Sequence, residues 1–280
     1  MKRGQALAQA RSVLADNNID DALIEGEILL RHILGINRAQ LFSDLDCDVS
    51  PYQVKNLMEF VARRVRGEPT SYIIGYREFY GLDFMVNPHV LIPRPETELL
   101  VDKAISLARN NPIFKVADIG TGCGAVAISL AINLPEITVY ATDISSSALE
   151  VARENCRIHK ALDRIILLQG DMLEPLPELV DLIIANLPYV RETDISTKGL
   201  LSFEPRLALN GGKKGLDKIE QLCYQAGEKL RKNGSLLLEI AQGQAEAVTN
   251  NLHNIFPSAL IEVERDLAGI ERMVYLGLTH

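Results

Sequence analysis

The segment Asp181-Leu182-Ile183-Ile184-Ala185-Asn186-Leu187-Pro188-Tyr189 limits the choice of folds more than any other part of this 280-residue chain. Four consecutive apolar residues after an acid read as a strand buried on both faces, the pattern of a parallel sheet covered by helices. The strand has to stop at Asn186, because Pro188 has no N–H for the ladder. A short, stiff loop then stands at the carboxyl end of a parallel-type strand, which is where open α/β sheets bind ligands. It offers the side-chain amide of Asn186, the backbone carbonyl of Leu187 and the ring of Tyr189. Two acceptors and a ring face suit a planar amino or amide nitrogen. A plain turn with a buried tyrosine would use the same tetrapeptide.

The neighbouring chain supplies the rest of such a sheet. Residues 115–119 predict a strand, Gly120-Thr121-Gly122-Cys123-Gly124 a tight loop and 125–133 a helix of small and apolar residues. A second strand over 137–142 ends in Asp143, and Ser145 or Ser146 can cap the helix carrying Ala148, Leu149, Val151 and Ala152. The third strand, 165–168, leads into Gln169-Gly170-Asp171-Met172, and 182–185 is the fourth. A long polar connection through Gly211-Gly212 has the length of a lid. A helix over 216–230, a strand over 236–240, a helix over 244–252 and strands over 260–264 and 273–276 complete the series. This alternation predicts a doubly wound α/β sheet with right-handed crossovers. The last two strands have no helix between them and should pair antiparallel at one edge.

The first seventy or so residues have a different texture. Asp20 and Asp21 can cap a helix in which Leu23, Ile24, Ile28, Leu29, Ile33 and Leu34 recur at helical spacing and Gly35 ends it. Ser50 before Pro51 starts another, with Val54, Leu57, Met58 and Val61 on one face and Gly67 closing it. The result is a small helical bundle with no catalytic constellation, in which His32 is a surface or boundary residue. Its nearly balanced charges suit a module that docks a protein partner. From Gly75, aromatic and β-branched residues around Gly81 read as a hairpin connector. Arg94, between Pro93 and Pro95, is either a pocket wall or a solvent-facing loop residue.

Composition narrows the chemistry. A net charge of −8 argues against a broad phosphate-binding surface, so no stable nucleic-acid binding is expected. The apolar runs are too short to span a membrane, and Met1 leads into no signal core. Cys47, Cys123, Cys156 and Cys223 lack metal-ligand spacing, which predicts no metal site and reduced thiols in a cytoplasmic protein. Cys123 reads as a small filler within the glycine loop.

A glycine-rich turn between a first strand and a helix lets the backbone approach a ligand, and the helix N-terminus adds N–H groups and positive partial charge. Gly120-x-Gly122-x-x-Ala125 also meets a permissive dinucleotide fingerprint, which keeps a nicotinamide oxidoreductase open. Asp143 is placed to accept from the two hydroxyls of a ribose, or else to cap the next helix with Ser145. Asp171 and Met172 add an acceptor for an adenine amino group and an apolar lid for its ring, or are ordinary loop residues.

In order, Asp118-Ile119-Gly120-Thr121-Gly122-Cys123-Gly124, Asp143, Gly170-Asp171 and Asn186-Leu187-Pro188-Tyr189 resemble the motifs of class I S-adenosylmethionine-dependent methyltransferases whose fourth-strand loop reads Asn-Pro-Pro-Tyr. Such enzymes methylate adenine or cytosine amino groups or a glutamine amide. Phe79-Tyr80-Gly81-Leu82-Asp83-Phe84, Leu91-Ile92-Pro93-Arg94-Pro95-Glu96-Thr97-Glu98 and Asp266-Leu267-Ala268-Gly269-Ile270-Glu271-Arg272 are similar specifically to the PrmC/HemK family of peptide chain release factor glutamine methyltransferases. The resemblance runs through nearly the whole chain.

It implies a class I, Rossmann-like seven-stranded sheet with an antiparallel last strand, plus a small N-terminal helical bundle. The implied division is a helical domain over 1–74 that binds the release factor, a β-hairpin connector over 75–89 and a methyltransferase domain over 90–280. The implied reaction places a methyl on the side-chain nitrogen of the glutamine in the factor's Gly-Gly-Gln loop. Carried over by position, Gly120, Thr121, Gly122, Cys123, Gly124, Asp143, Asp171, Met172 and Asn186 would contact S-adenosylmethionine. Asn186, Leu187, Pro188 and Tyr189 would hold the glutamine, with Asn186, Pro188 and Tyr189 as the catalytic set. Leu187 replaces the first proline of the pattern; only its carbonyl is needed, and a residue before Pro188 is still biased to extended geometry. Lys213-Lys214 stands where the pattern has an acid in Gly-Gly-x-Asp-Gly, and Leu238-Glu239-Ile240-Ala241 lacks the glycine that follows the strand. An adenine-type amino methyltransferase acting on nucleic acid shares the loop chemistry and is the alternative; the acidic balance and the absence of a basic target-recognition domain speak against it.

Overall fold

The computed structural model describes residues 1–195 and 200–279, which divide into two compact units. The smaller holds Met1–Gly75 and, from later in the chain, the turn Leu200–Phe203. Its helices are α1 (Arg3–Asp16), α2 (Ala22–Leu34), α3 (Arg38–Ser43), α4 (Pro51–Val65) and α5 (Thr70–Ile74). Leu7, Leu14, Leu29, Leu30, Leu57 and Val61 form its core. Helix α4 starts as its sequence predicts: Ser50 Oγ accepts the Gln53 N–H, the Gln53 side chain accepts the Ser50 N–H, and Pro51 sits in the first turn. Helix α2 ends at Gly35 in the left-handed conformation, φ 64°. Its start differs from expectation, because Asp21 makes no side-chain cap. Its buried face also differs. Ala22, Gly26, Leu29 and Leu30 turn inward, so Leu23 and Ile24 fall outside that stripe and are exposed. Gly26 decides the register, since a Cβ there would meet the Arg11 side chain at 2.9 Å and its backbone nitrogen at 3.3 Å.

The larger unit runs from Tyr76 on and opens with the hairpin β1 (Tyr76–Phe79) and β2 (Leu82–Met85). Tyr80 and Gly81 at its tip both have positive φ, 52° and 74°, as a two-residue turn of matching twist requires. The sheet that follows is built from β3 (Lys115–Ile119), β4 (Thr138–Asp143), β5 (Ile165–Gln169), β6 (Val180–Ala185), β7 (Leu230–Glu239), β8 (Leu260–Arg265) and β9 (Glu271–Gly277). Strand order is β5-β4-β3-β6-β7-β9-β8. The first five are parallel and β9 runs antiparallel between β7 and β8, so the last strand in the chain is interior and β8 is the edge. The helices α6 (Glu98–Asn110), α7 (Ala125–Asn133), α8 (Ser146–Ile158), α10 (Asp217–Lys229) and α11 (Ala245–Ile255) pack on it.

One expectation is corrected. Strand β7 starts at Leu230, six residues before position 236, because Lys232-Asn233-Gly234 does not end it. Asn233 takes a positive φ of 61°, and the pairing with β6 shifts register between Val180 and Leu182, so the strand absorbs an irregularity there. The long connection after β6 carries a short 3₁₀ turn at Glu192–Asp194 and the helix α9 (Arg206–Leu209); its residues 196–199 lie outside the described ones. Among the described residues no helix is long and apolar enough to cross a membrane.

The parallel register has a direct consequence. Leu168, Thr142, Ile119, Ala185 and Leu238 stand level across β5, β4, β3, β6 and β7. The next residue along each strand is Gln169, Asp143, Gly120, Asn186 and Glu239. Positions far apart in sequence thus form one row at the carboxyl edge.

The fully buried Asn155 of α8 ties the hairpin to this edge. It accepts the Met85 N–H at 2.8 Å and donates to the carbonyls of Met85 at 3.0 Å and of Cys123 in the glycine loop at 2.8 Å. Asn155→Ala leaves those three backbone groups without a partner and should lower the unfolding free energy by about 2–4 kcal/mol. Urea unfolding followed by circular dichroism checks this; a loss below about 0.5 kcal/mol would mean that solvent replaces the amide.

Candidate active site

An open cleft lies over the row, wholly within the larger unit. One wall is the glycine loop between β3 and α7. Gly120, Gly122 and Gly124 all have positive φ, 69°, 56° and 84°, a run that side chains with a Cβ rarely adopt. The loop is braced from beneath. Thr121 Oγ1 donates to Asp118 Oδ2 at 2.6 Å, and the Ala127 N–H at the start of α7 reaches the same oxygen at 3.2 Å. Burial pushes the Asp118 carboxyl up to about 6, opposed by those two hydrogen bonds. Cys123 is buried, and burial pushes its thiol up to about 12, so it stays neutral as a filler residue.

Asp143 forms the floor. Its Oδ2 accepts the Gly122 N–H and its Oδ1 the Ser145 N–H, both at 2.9 Å. Burial raises its carboxyl above the usual range, and the N–H bonds from Ser145, Gly122 and Ile144 hold it down. Ser145, not Asp143, caps α8, its Oγ accepting the Ala148 N–H. The Asp143 carboxylate is therefore left facing the cleft with lone pairs to spare. The third wall is Met172, buried with a positive φ of 47°, its carbonyl held by Thr142 Oγ1 at 2.9 Å. Asp171 lines the cleft beside it and takes the Gln221 side-chain N–H on Oδ2 at 2.9 Å.

Opposite stands the tip of β6. Asn186, Leu187 and Pro188 line the cleft. A Cβ built on Gly120 would lie 3.4 Å from the Leu187 side chain and 3.9 Å from the Asn186 carbonyl oxygen, so tip and glycine turn are immediate neighbours. Leu187 is more than a carbonyl carrier: its side chain is 5% exposed and packs into the main core against that turn. Asn186 donates from Nδ2 to Thr97 Oγ1 at 2.9 Å, and Thr97 donates to Glu239 Oε2 at 2.6 Å. Tyr189 is placed differently. It is not among the cleft-lining residues; its ring is partly buried against the main core, and burial pushes its phenol up to about 12.

The tip is shaped from behind by the glycine segment after α9. A Cβ on Gly211 would meet the Pro188 carbonyl oxygen at 2.6 Å and Tyr189 Cα at 2.8 Å, and one on Gly215 would meet the Tyr189 carbonyl oxygen at 2.3 Å. Lys213 and Lys214 between them, where the pattern has an acid, are exposed. After β7, where the pattern has a glycine, Gln244 Oε1 accepts the Ala241 N–H at 2.9 Å while its Nε2 donates to the Gly215 carbonyl at 3.0 Å. Arg94 lines the cleft and pairs with the buried Glu204 at 2.5 Å.

The sequence reading missed Thr97, Asn155, Glu239 and Gln244 as contributors. Each is polar and buried or half-buried between elements, a state that no local pattern marks.

Residues 5–75 match the model of the PrmC N-terminal domain, and residues 96–203 that of the methyltransferase small domain. A release factor glutamine methyltransferase of Bacillus cereus is 37% identical over 98% of this chain and 99% of its own length. The chain belongs to the release factor glutamine methyltransferase family. Another member, from Moorella thermoacetica, is 39% identical over 96% of this chain and 95% of its own. Among solved structures, a ribosomal protein L11 methylase from Lactobacillus delbrueckii has a TM-score of 0.52 at 22% identity, covering 70% of this chain and 84% of its own, and a methyltransferase from Pyrococcus furiosus one of 0.53 at 16% identity, covering 71% and 90%. These two likenesses show the fold. Membership of the release factor glutamine methyltransferase family makes the chain an enzyme of methyl transfer, which displaces the nicotinamide reading of the glycine loop.

Close backbone packing at Gly211 fixes the tip loop. Gly211→Ala forces backbone against backbone at Pro188 and Tyr189, and should lower methyl-transfer kcat by roughly 10²-fold, the scale of about an ångström of misplacement. Steady-state kinetics beside a thermal melt checks this; a lowered rate that merely tracks a collapsed melt would point to misfolding instead.

Proposed function

We propose that this enzyme transfers the methyl group of S-adenosylmethionine to the side-chain amide nitrogen of the glutamine in the Gly-Gly-Gln loop of peptide chain release factors. The observation that supports the reading is the register that stands Asn186 beside Gly120, so that the Asn-Leu-Pro-Tyr tip borders the glycine-lined cleft.

The residues present fit the methyl donor. Three glycines with positive φ keep Cβ atoms out of the loop, Asp143 offers a buried carboxylate to a ribose diol, and Met172 with Ile144 gives apolar surface for an adenine ring. Thr121, Cys123 and Gly124 complete the loop, and Asp171, whose Oδ2 takes the Gln221 N–H, would accept from the adenine amino group through its other oxygen. When bound, S-adenosylmethionine supplies an electrophilic methyl on a sulfonium centre.

The chain's own task is to make an amide nitrogen react. That nitrogen is a poor nucleophile because its lone pair is delocalised into the carbonyl. Asn186 Oδ1 and the Leu187 carbonyl accept its two N–H bonds and fix its line of attack. As the new bond forms, the nitrogen gains positive charge and its N–H bonds become more acidic, so both acceptors bind the transition state more tightly than the ground state. The proton can leave after the methyl has arrived. Pro188 stiffens the tip, and Tyr189, partly buried beside the main core, would lay its ring against the amide's π-face. In this reading residues 1–74 dock the release factor, 75–89 connect, and 90–280 carry the transfer.

Mass spectrometry of a release factor incubated with the enzyme and labelled cofactor should find one methyl on the loop glutamine; transfer to a DNA oligonucleotide and none to the factor would overturn the proposal. Asn186→Ala should lower turnover by roughly 10²–10³-fold, the effect of losing one acceptor aimed at the transition state. Near wild-type turnover at saturating cofactor would remove Asn186 from the role.

A further inference from the structure

Two buried polar side chains stand behind Asn186 with no part in the chemistry above. Thr97 closes the 3₁₀ turn Pro95–Thr97 ahead of α6, and Glu239 ends β7; they are 5% and 3% exposed. Asn186 Nδ2 donates to Thr97 Oγ1 at 2.9 Å, and the Thr97 hydroxyl donates to Glu239 Oε2 at 2.6 Å.

A hydroxyl has one proton, and an ionised carboxylate can only accept. While Glu239 holds the Thr97 proton, Thr97 Oγ1 can only accept on its Asn186 side. The asparagine amide must then turn Nδ2 toward Thr97, which commits Oδ1, the acceptor end, to the opposite direction. An amide reversed about its last torsion would face a target NH₂ donor to donor.

We propose that Thr97 and Glu239 are positioning residues for the methyl transfer, acting through one hydroxyl proton to fix which end of the Asn186 amide meets the target nitrogen. The inference rests on the reading that Asn186 Oδ1 accepts from a substrate amide. It deepens that reading, because a fixed acceptor selects an NH₂ group over a carboxylate at the same place.

The surroundings of Glu239 give the device a pH dependence. Burial is the largest effect and pushes its carboxyl up to about 7; the Thr97 hydrogen bond lowers it, Glu96 raises it, and Arg272 of β9 and Arg94 of the loop before α6 lower it. Tyr189, whose phenol burial pushes up to about 12, also faces it and stays neutral. A carboxyl raised in this way is ionised above about pH 7 and protonated below. Once protonated, it can donate to Thr97, whose own proton then turns to Asn186 and lets the amide reverse. The acceptor orientation is therefore held above about pH 7 and lost as pH falls through it.

The test uses the full chain, labelled S-adenosylmethionine and a release factor as acceptor. Thr97→Val should lower kcat roughly tenfold to hundredfold with the KM for S-adenosylmethionine unchanged, and Thr97→Ser, which keeps the hydroxyl, should retain most of the rate. In an Asn186→Ala background Thr97→Val should cost nothing further, since the two act as one unit. Wild-type kcat should fall on the acid side of about pH 7, and Glu239→Gln should be slower and lack that limb. An equal loss from Thr97→Val in both backgrounds, a Thr97→Ser as slow as the valine variant, or an acid limb that survives in Glu239→Gln would each overturn the inference. The serine and glutamine variants decide the matter should the valine variant fail to fold. If Asn186→Ala alone leaves turnover intact, the reading of Asn186 falls and takes this inference with it; if Asn186→Ala is slow and Thr97→Val adds to it independently, this inference alone falls.

Discussion

The in-register pairing of five parallel strands is the constraint on which the rest of this structure depends. Parallel neighbours advance together, so fixing one pair of residues fixes the level of every strand end. Here Ile119 opposite Ala185, Thr142 opposite Ile119 and Leu238 opposite Ala185 set Asp143, Gly120, Asn186 and Glu239 in one row. A slip of one residue in β6 would turn Leu182 and Ile184 onto the face now occupied by Ile183 and Ala185, all of them buried, and would carry Asn186 away from the glycine turn. The apolar core thus enforces the geometry of a polar edge.

Around that row the chain gives up side-chain volume and polar solvation where close approach is needed. Gly211 and Gly215 let one loop lie directly against the backbone of the β6 tip, and Gly120 lets the tip lie against the turn after β3. Leu187 fills the space on the core side of that contact, which gives an apolar residue at this position a use beyond its carbonyl. Burying Asp118, Asp143 and Glu239 is unfavourable for their charged forms, and all three carboxyls are raised by burial. Each is compensated by donors from a neighbouring element: Thr121 and Ala127, Gly122 and Ser145, Thr97. A buried acceptor-only group with a fixed donor also orients that donor, which ties the unfavourable burial to the ordering of the site.

Most of the sheet was legible in sequence because its signals are local. A buried strand shows as an apolar run, a turn as glycines, a helix start as Ser50-Pro51, and these match the observed elements to within a residue or two. The exceptions have physical causes. Lys232-Asn233-Gly234 has the composition of a turn, yet the β6 pairs on either side of it, Val180 with Leu230 and Leu182 with Ser235, carry it as an irregularity inside one strand. Leu23 and Ile24 share the spacing of a core face, yet the close crossing at Gly26 turns another stripe inward. Asn155 and Gln244 carry no sequence mark at all, because a buried amide that bridges two loops is defined by partners distant in the chain.

By itself the sequence determined the alternation of strands and helices, the glycine turn after the first sheet strand, the proline-stiffened tip at Asn186 and the kind of chemistry such a pair suits, since each of these follows from a residue's own backbone freedom or polarity. Only the tertiary structure decided that β9 enters between β7 and β8, that Asn186 stands beside Gly120, and that Thr97 and Glu239 lie behind it. Those relations depend on strand order and register, which are set by the whole core packing at once and are written in no single stretch of the chain.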